Sequence, residues 1–217
     1  MVAKYLRINL FYKILRPFSA FTRNRRMSLY FNLMRIEEGT NIIDLGGQPM
    51  IWDSAPVRLN ITILNLPGSA NVHYQTKHNI GYIEGDACKV DGIEDRSFDT
   101  VFSNSFIEHV GPSNNMAAFA REVRRLGKSY WVQTPSKYFP IEAHCGMPFW
   151  WFYPHSVRSY FIRRWRKKLP AWTKMVEETT VLTKYDLREY FPEATIVVER
   201  FFGIPKSYVA YYRQDQI

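Results

Sequence analysis

The stretch from Asn41 to Trp52, NIIDLGGQPMIW, constrains the fold of this chain more than any other. The apolar run from Asn41 to Leu45 takes in an acid and is closed by a glycine pair, the usual end of a buried strand in a parallel sheet. Asp44 falls at the C-terminal edge of that strand. Gly46 and Gly47 let the backbone turn sharply and approach a bound group, and Pro49 suits the first position of a helix. A strand, a glycine turn and a helix start together make a nucleotide-type site.

The 217 residues are enough for one domain with an ample core, and 46% hydrophobic with 16% aromatic residues is the composition of a globular protein. Cys88 and Cys145 allow a single pair and no disulfide framework, so both are read as plain thiols in a reducing compartment. No apolar run approaches the ~20 residues of a membrane span. Lys4 and Arg7 interrupt the N-terminus where a signal peptide needs its apolar region, which places the protein in the cytoplasm. The net charge of +9 calls for an anionic partner: nucleic acid, an acidic or phosphorylated substrate, or a lipid surface. The excess is concentrated in two blocks. Lys4, Arg7, Lys13, Arg16, Arg23, Arg25 and Arg26 precede the first acid, Glu37, and Arg158, Arg163, Arg164, Arg166, Lys167 and Lys168 form the second.

Residues 1–40 read as a basic helical extension broken at Pro17, with Phe11, Ile14, Leu15 and Phe18 on one stripe and Met27, Tyr30, Phe31 and Met34 on the next. Such stripes are usually core, so they are read as covering one edge of the sheet, with attachment to anionic lipid as the second reading. From 41 to 217 the order is strand, short helix stopped by Pro56, strand at Asn60 to Leu66, strand at Tyr82 to Ala87 and strand at Phe98 to Ser103. There follow a helix at Asn114 to Leu126 with Ser113 as N-cap, a strand at Ser129 to Gln133, an insertion, a helix at Tyr185 to Tyr190 and a terminal hairpin at Thr195 to Phe202 and Ser207 to Tyr212. The insertion, residues 138–180, is aromatic and then basic, and is read as a cap over the site carrying substrate contacts.

This order, the glycine turn and the run FDTVFSNSFIEHV resemble the class I S-adenosylmethionine-dependent methyltransferases, and most of all the type 11 subfamily. QTPSKYFPIEAH after the fifth strand is a second, narrower match. The resemblance implies an α/β, Rossmann-like, doubly wound sheet of seven strands, mostly parallel with one antiparallel strand, and S-adenosyl-L-methionine as cofactor. It puts Asp44, Gly46 and Gly47 around the methionine and ribose, Asn65 at the ribose, Asp86 and Ala87 at the adenine, and Ser103 and Asn104 beneath the sulfonium. Two departures stand out. Gln48 and Met50 occupy the places of the family's second and third alternating glycines, and an amide, Asn65, stands where the ribose acid is usual. Asn65 lies about 20 residues beyond Asp44, the offset at which a second-strand side chain meets a ribose.

Methyl transfer is an in-line displacement, so holding the acceptor opposite the methyl group supplies much of the rate. A base helps where the acceptor is a hydroxyl. His109 and His144 are the candidates, because both follow motifs that the resemblance places at the mouth of the site. Glu142 could fix the tautomer of His144 or bind substrate, and Glu108 and Tyr138 are further candidate substrate contacts. Glu108-His109 is also part of a metal motif in some related methyltransferases, but Ser105 replaces the first acid there and His144 is remote in sequence, so no metal is assigned. The expected activity is methyl transfer to a small-molecule or glycan acceptor, O-directed before N-directed, with the basic insertion holding an anionic group. An RNA methyltransferase and a non-catalytic module on a membrane surface are the alternatives. A dehydrogenase is disfavoured because G-x-G-x-x-G is absent after Asp44.

Overall fold

A computed structural model describes residues 20–68 and 74–214. The first N-terminal stripe, Phe11 to Phe18, and the break at Pro17 lie outside the described residues. Seven strands form one sheet: β1 (Asn41–Leu45), β2 (Asn60–Asn65), β3 (Asn79–Glu84), β4 (Phe98–Asn104), β5 (Gly127–Pro135), β6 (Thr195–Phe201) and β7 (Ile204–Tyr212). Their spatial order is β3-β2-β1-β4-β5-β7-β6. β7 alone runs antiparallel, pairing with β5 on one side and with its hairpin partner β6 on the other. The order reverses between β1 and β4, and in an open parallel sheet the crevice at such a reversal is where ligands bind.

Side chains alternate across the sheet with period two, and the central strands are apolar on both faces. Ile43, Leu45, Val101, Tyr130 and Val132 face one core, whereas Ile42, Phe102 and Trp131 face the other. The first core is covered by α2 (Ser113–Leu126) and α5 (Lys184–Tyr190), with Phe119, Val123, Leu187 and Phe191 fully buried. The second is covered by α1, described over residues 20–34, through Met27, Tyr30, Phe31 and Met34, and by the 3-10 turn Pro49–Ser54, which contributes Trp52. Tyr30 packs edge-on against Trp52, Phe102 and Trp131, with centroids 4.9 to 6.0 Å away. The second N-terminal stripe is therefore a core layer.

Several expected boundaries shift. The third strand ends at Glu84, so Asp86 and Ala87 belong to the loop beyond it. Ser113 is the first residue of α2 and Pro112 its N-cap, while Gly127 opens β5 directly. The insertion folds as a 3-10 turn (Trp150–Phe152), α3 (His155–Arg166) and α4 (Pro170–Glu178). α5 begins with a capping box, the Thr183 hydroxyl accepting from the N–H of Asp186 while the Asp186 carboxylate accepts from the N–H of Thr183. No helix among the described residues is long and apolar enough to cross a membrane.

Candidate active site

The switch point between β1 and β4 carries the glycine turn. The Gly46 N–H donates to Leu64 O at 2.9 Å, and Gly46 sits at φ +75°, where a side chain is strained. A Cβ on Gly46 would come within 1.9 Å of the Phe106 ring, and one on Gly47 within 2.0 Å of the Asp44 carboxyl carbon. Both positions therefore require glycine for the packing of the protein itself. Asp44 is fully buried; its Oδ2 accepts from Trp52 Nε1 at 2.9 Å, and its Oδ1 has no hydrogen-bond partner. Burial pushes its pKa up to about 7, against the opposing Trp52 hydrogen bond.

A cavity of about 200 Å³ opens here, lined by Arg23, Asp44, Gly46, Gly47, Gln48 and Asn104 among others. Asn65 Nδ2 donates to Gly47 O at 2.9 Å, so the amide fixes the turn from the end of β2. This explains the departure from the family's acid, because a carboxylate cannot donate to a carbonyl. The Asp86 carboxylate accepts from the Cys88 N–H at 2.8 Å and holds the loop in which Ala87 is buried. Ser103 is buried, and its hydroxyl donates to Leu45 O at 3.1 Å, strapping β4 to β1. Asn104 reaches the cavity wall, its Oδ1 accepting from Arg26 Nη1 at 2.7 Å.

Arg26 escaped the sequence reading, which counted it within a basic block. It is 6% exposed and also donates to Glu199 Oε2 at 2.7 Å and to Ser207 Oγ at 3.2 Å, joining α1, β4, β6 and β7. Its one sequence signal is position: it lies one turn before Tyr30 on the buried stripe.

A second cluster forms where the loops after β4 and β5 meet the end of α4. Glu108 is fully buried; Oε2 accepts from Thr134 Oγ1 at 3.0 Å and Oε1 has no hydrogen-bond partner. Its backbone carbonyl accepts from the Thr180 N–H at 2.8 Å. The Glu142 carboxylate accepts the backbone N–H groups of His144 and Cys145 at 2.6 and 2.5 Å and takes His144 Nδ1 at 2.8 Å. The E-x-H spacing thus makes a closed loop in which the acid orients the imidazole. His144 Nε2 is 4.0 Å from Glu108 Oε1, and the rings of His109 and His144 meet edge-on at 4.7 Å. Tyr138 is exposed, with its ring 6.1 Å from Phe152.

The environment separates these groups electrostatically. Burial pushes Glu108 up to about 7 and His109, which also feels His144, down to about 4. Burial is the largest single effect on His144 and Glu142 as well and opposes charge on both, but their mutual hydrogen bond and attraction, with the Glu108 charge facing His144 and the Cys145 N–H on Glu142, together outweigh it, so His144 is raised and Glu142 lowered. Neutral and charged groups held side by side near pH 7 suit proton transfer. Glu108, His109 and His144 each offer one ligand atom within 4.8 Å of the others, so the residue that sequence left remote is a neighbour. One carboxylate with two imidazoles is a donor set for a transition ion rather than for Mg²⁺ or Ca²⁺.

The donors at the switch point fit a ligand with a cationic end and a sugar: a buried acid with an unpartnered oxygen, a glycine turn and an amide at the end of β2. The family model described as a methyltransferase domain matches residues 63–129, which take in the end of β2, β3, β4 and α2. No curated protein matches the chain. Among solved structures, a Methanococcus maripaludis protein described provisionally as an S-adenosyl-L-methionine-dependent methyltransferase is 16% identical over 96% of this chain and 92% of its own, with a TM-score of 0.52. A provisional methyltransferase solved in complex with the Haloferax volcanii Trm112 methyltransferase activator is 15% identical over 91% of this chain and 96% of its own, at 0.53. A Rhodobacter sphaeroides protein described provisionally as a zinc-dependent alcohol dehydrogenase is 12% identical over 83% of this chain and 86% of its own, at 0.57. At these identities the likeness is one of fold.

Proposed function

We propose that the chain is a class I S-adenosylmethionine-dependent methyltransferase, a reading supported by the methyltransferase-domain match over residues 63–129, and that it methylates a hydroxyl of a small-molecule or glycan acceptor. The single observation that carries the O-directed reading is the Glu142–His144 pair at 2.8 Å, aimed at the buried Glu108 beside neutral His109. When bound, S-adenosylmethionine supplies an electrophilic methyl group on a sulfonium. Asp44 and the glycine turn hold its cationic end, and Asn65 Oδ1 accepts from a ribose hydroxyl while Nδ2 stays on Gly47.

At the second cluster Glu142 fixes the His144 tautomer with Nδ1 as donor, and Nε2, 4.0 Å from Glu108 Oε1, is the atom that takes the acceptor's proton. His109, held neutral at physiological pH, forms an uncharged wall that does not repel the imidazolium once it forms. Thr134 holds Glu108 in place, where its charge stabilises the protonated His144. The parts match the general scheme in which a base is oriented by a third group.

His144→Ala is expected to lower kcat by about 10² to 10⁴-fold. Glu142→Gln, which keeps the shape and loses the charge, should lower kcat by about tenfold or more, shifting the acid limb of the pH profile. Both variants should bind S-adenosylmethionine as the parent does in calorimetric titration. Full turnover in His144→Ala would remove His144 from the proton transfer, and lost cofactor binding would make its role structural.

A further inference from the structure

A cavity of about 350 Å³ lies between α3 and α4, distinct from the cavity at the glycine turn. Its size is that of a site for one small molecule. His155, Arg158, Arg163 and Arg166 reach it from α3 together with Ser159 and Ile162, a set whose three- and four-residue spacings place them on one face of the helix. Glu177 is the one acid among its lining residues, and it pairs with Arg166 at 2.5 Å. Arg158 Nε is buried with no hydrogen-bond partner, and its guanidinium lies 5.9 Å from the centre of the Trp151 ring. An arginine nitrogen taken out of water without an acceptor is costly unless a ligand provides one.

We propose that this cavity binds the phosphate of a phosphorylated acceptor, with Arg158 and Arg163 as its clamp and Trp150 and Trp151 as the surface for the rest of the molecule. The inference rests on the methyl-transfer reading for what the acceptor undergoes, and on the cavity alone for what it carries. Two arginines beyond the Arg166–Glu177 pair match the two charges of a phosphomonoester, and the guanidinium fork matches its oxygens. The cavity is also connected to the candidate base. Thr179 lines it, and the Thr179 hydroxyl lies 3.4 Å from His109 Nδ1, while the next residue holds the Glu108 carbonyl through its N–H. A phosphate anchored on α3 therefore leaves the attached polyol next to the His109–His144 cluster.

The test is calorimetric titration of the full chain, at constant ionic strength, with inorganic phosphate, glucose 6-phosphate and glucose. Saturable one-to-one binding of both phosphates and none of glucose is expected. The double substitution Arg158→Ala with Arg163→Ala should weaken phosphate binding about tenfold or more, the loss of one to two charge-assisted hydrogen bonds, and leave S-adenosylmethionine binding unchanged. α3 buries no residue, so this variant should fold. Equal phosphate binding by parent and double variant overturns the site, as does an RNA oligonucleotide that is bound and methylated while sugar phosphates are not bound. Phosphate binding without S-adenosylmethionine binding supports the cavity and overturns the methyl-transfer reading instead, so the two failures are distinguishable.

Discussion

Asn65 shows how one residue is chosen by its hydrogen-bonding sense. The carbonyl of Gly47 points at the end of β2, and only a donor there can meet it; the amide does so at 2.9 Å. Asn65→Asp, which restores the acid that the family resemblance implies, is therefore expected to harm this chain. It sets an acceptor against an acceptor at a part-buried position, at a cost of about 1–3 kcal/mol. It also loosens the turn whose Gly47 must stay free of a Cβ beside Asp44. Urea unfolding should show the loss, and calorimetry should show weaker S-adenosylmethionine binding. Tighter binding by the acid would mean that the turn holds without the amide and that the ribose decides the residue type.

At the scale of elements, α1 is held to the sheet by two devices, an aromatic stripe and a buried arginine. Met27, Tyr30, Phe31 and Met34 follow helical spacing, so their joint burial was legible in the sequence, as were the seven strands, the first four closed by Gly or Asn, although the third lies three residues earlier than its apolar pattern suggested. Arg26 was not legible: its partners Asn104, Glu199 and Ser207 come from strands far along the chain, and a basic block gives no sign of which cation turns inward. The Glu142–His144 loop could be read because its partners are two residues apart, whereas the approach of His144 to Glu108 depends on the ends of β4 and β5 lying side by side. α3 and α4 were missed as helices because aromatic and basic residues in α3 follow no buried stripe. Arg26→Met should destabilise the protein by about 3–5 kcal/mol by leaving Glu199 without its partner in a nearly dry setting. Arg26→Met with Glu199→Gln should recover part of the loss. A single substitution costing less than about 1 kcal/mol in urea unfolding would show that α1 is held by its apolar face alone.

Across the whole molecule, two carboxyls are buried at the ends of the strands that meet at the switch point, Asp44 near the end of β1 before the glycine pair and Glu108 in the loop after β4, and burial raises both to about 7. The folded protein holds these protons over a range in which the unfolded chain, with ordinary carboxyl pKa values near 4, has released them. Their contribution to stability is thus fully present below about pH 4 and lost as pH rises through about 7. Glu142 acts in the opposite sense: its folded pKa is lowered, so the stability it contributes is present above the unfolded value and lost in acid. His109, lowered to about 4, and His78, also lowered, likewise oppose the first pair below about pH 6.5, but the two carboxyls together outweigh them, so the melting temperature of the ligand-free protein should fall between pH 5 and 8, most steeply above pH 6. With the proposed placement of S-adenosylmethionine, its positive charge favours the ionised form of Asp44, so the rise in melting temperature that it causes should grow with pH over the same range. In Asp44→Asn the ligand-induced rise should be smaller and flat with pH, because the amide neither titrates nor attracts the cation. Thermal melts at half-unit intervals, with and without the cofactor, measure both trends together. A ligand-induced rise in the parent that does not change with pH would show that the cationic end of the cofactor is held elsewhere, and would make Asn104, which lines the same cavity, the next residue to substitute.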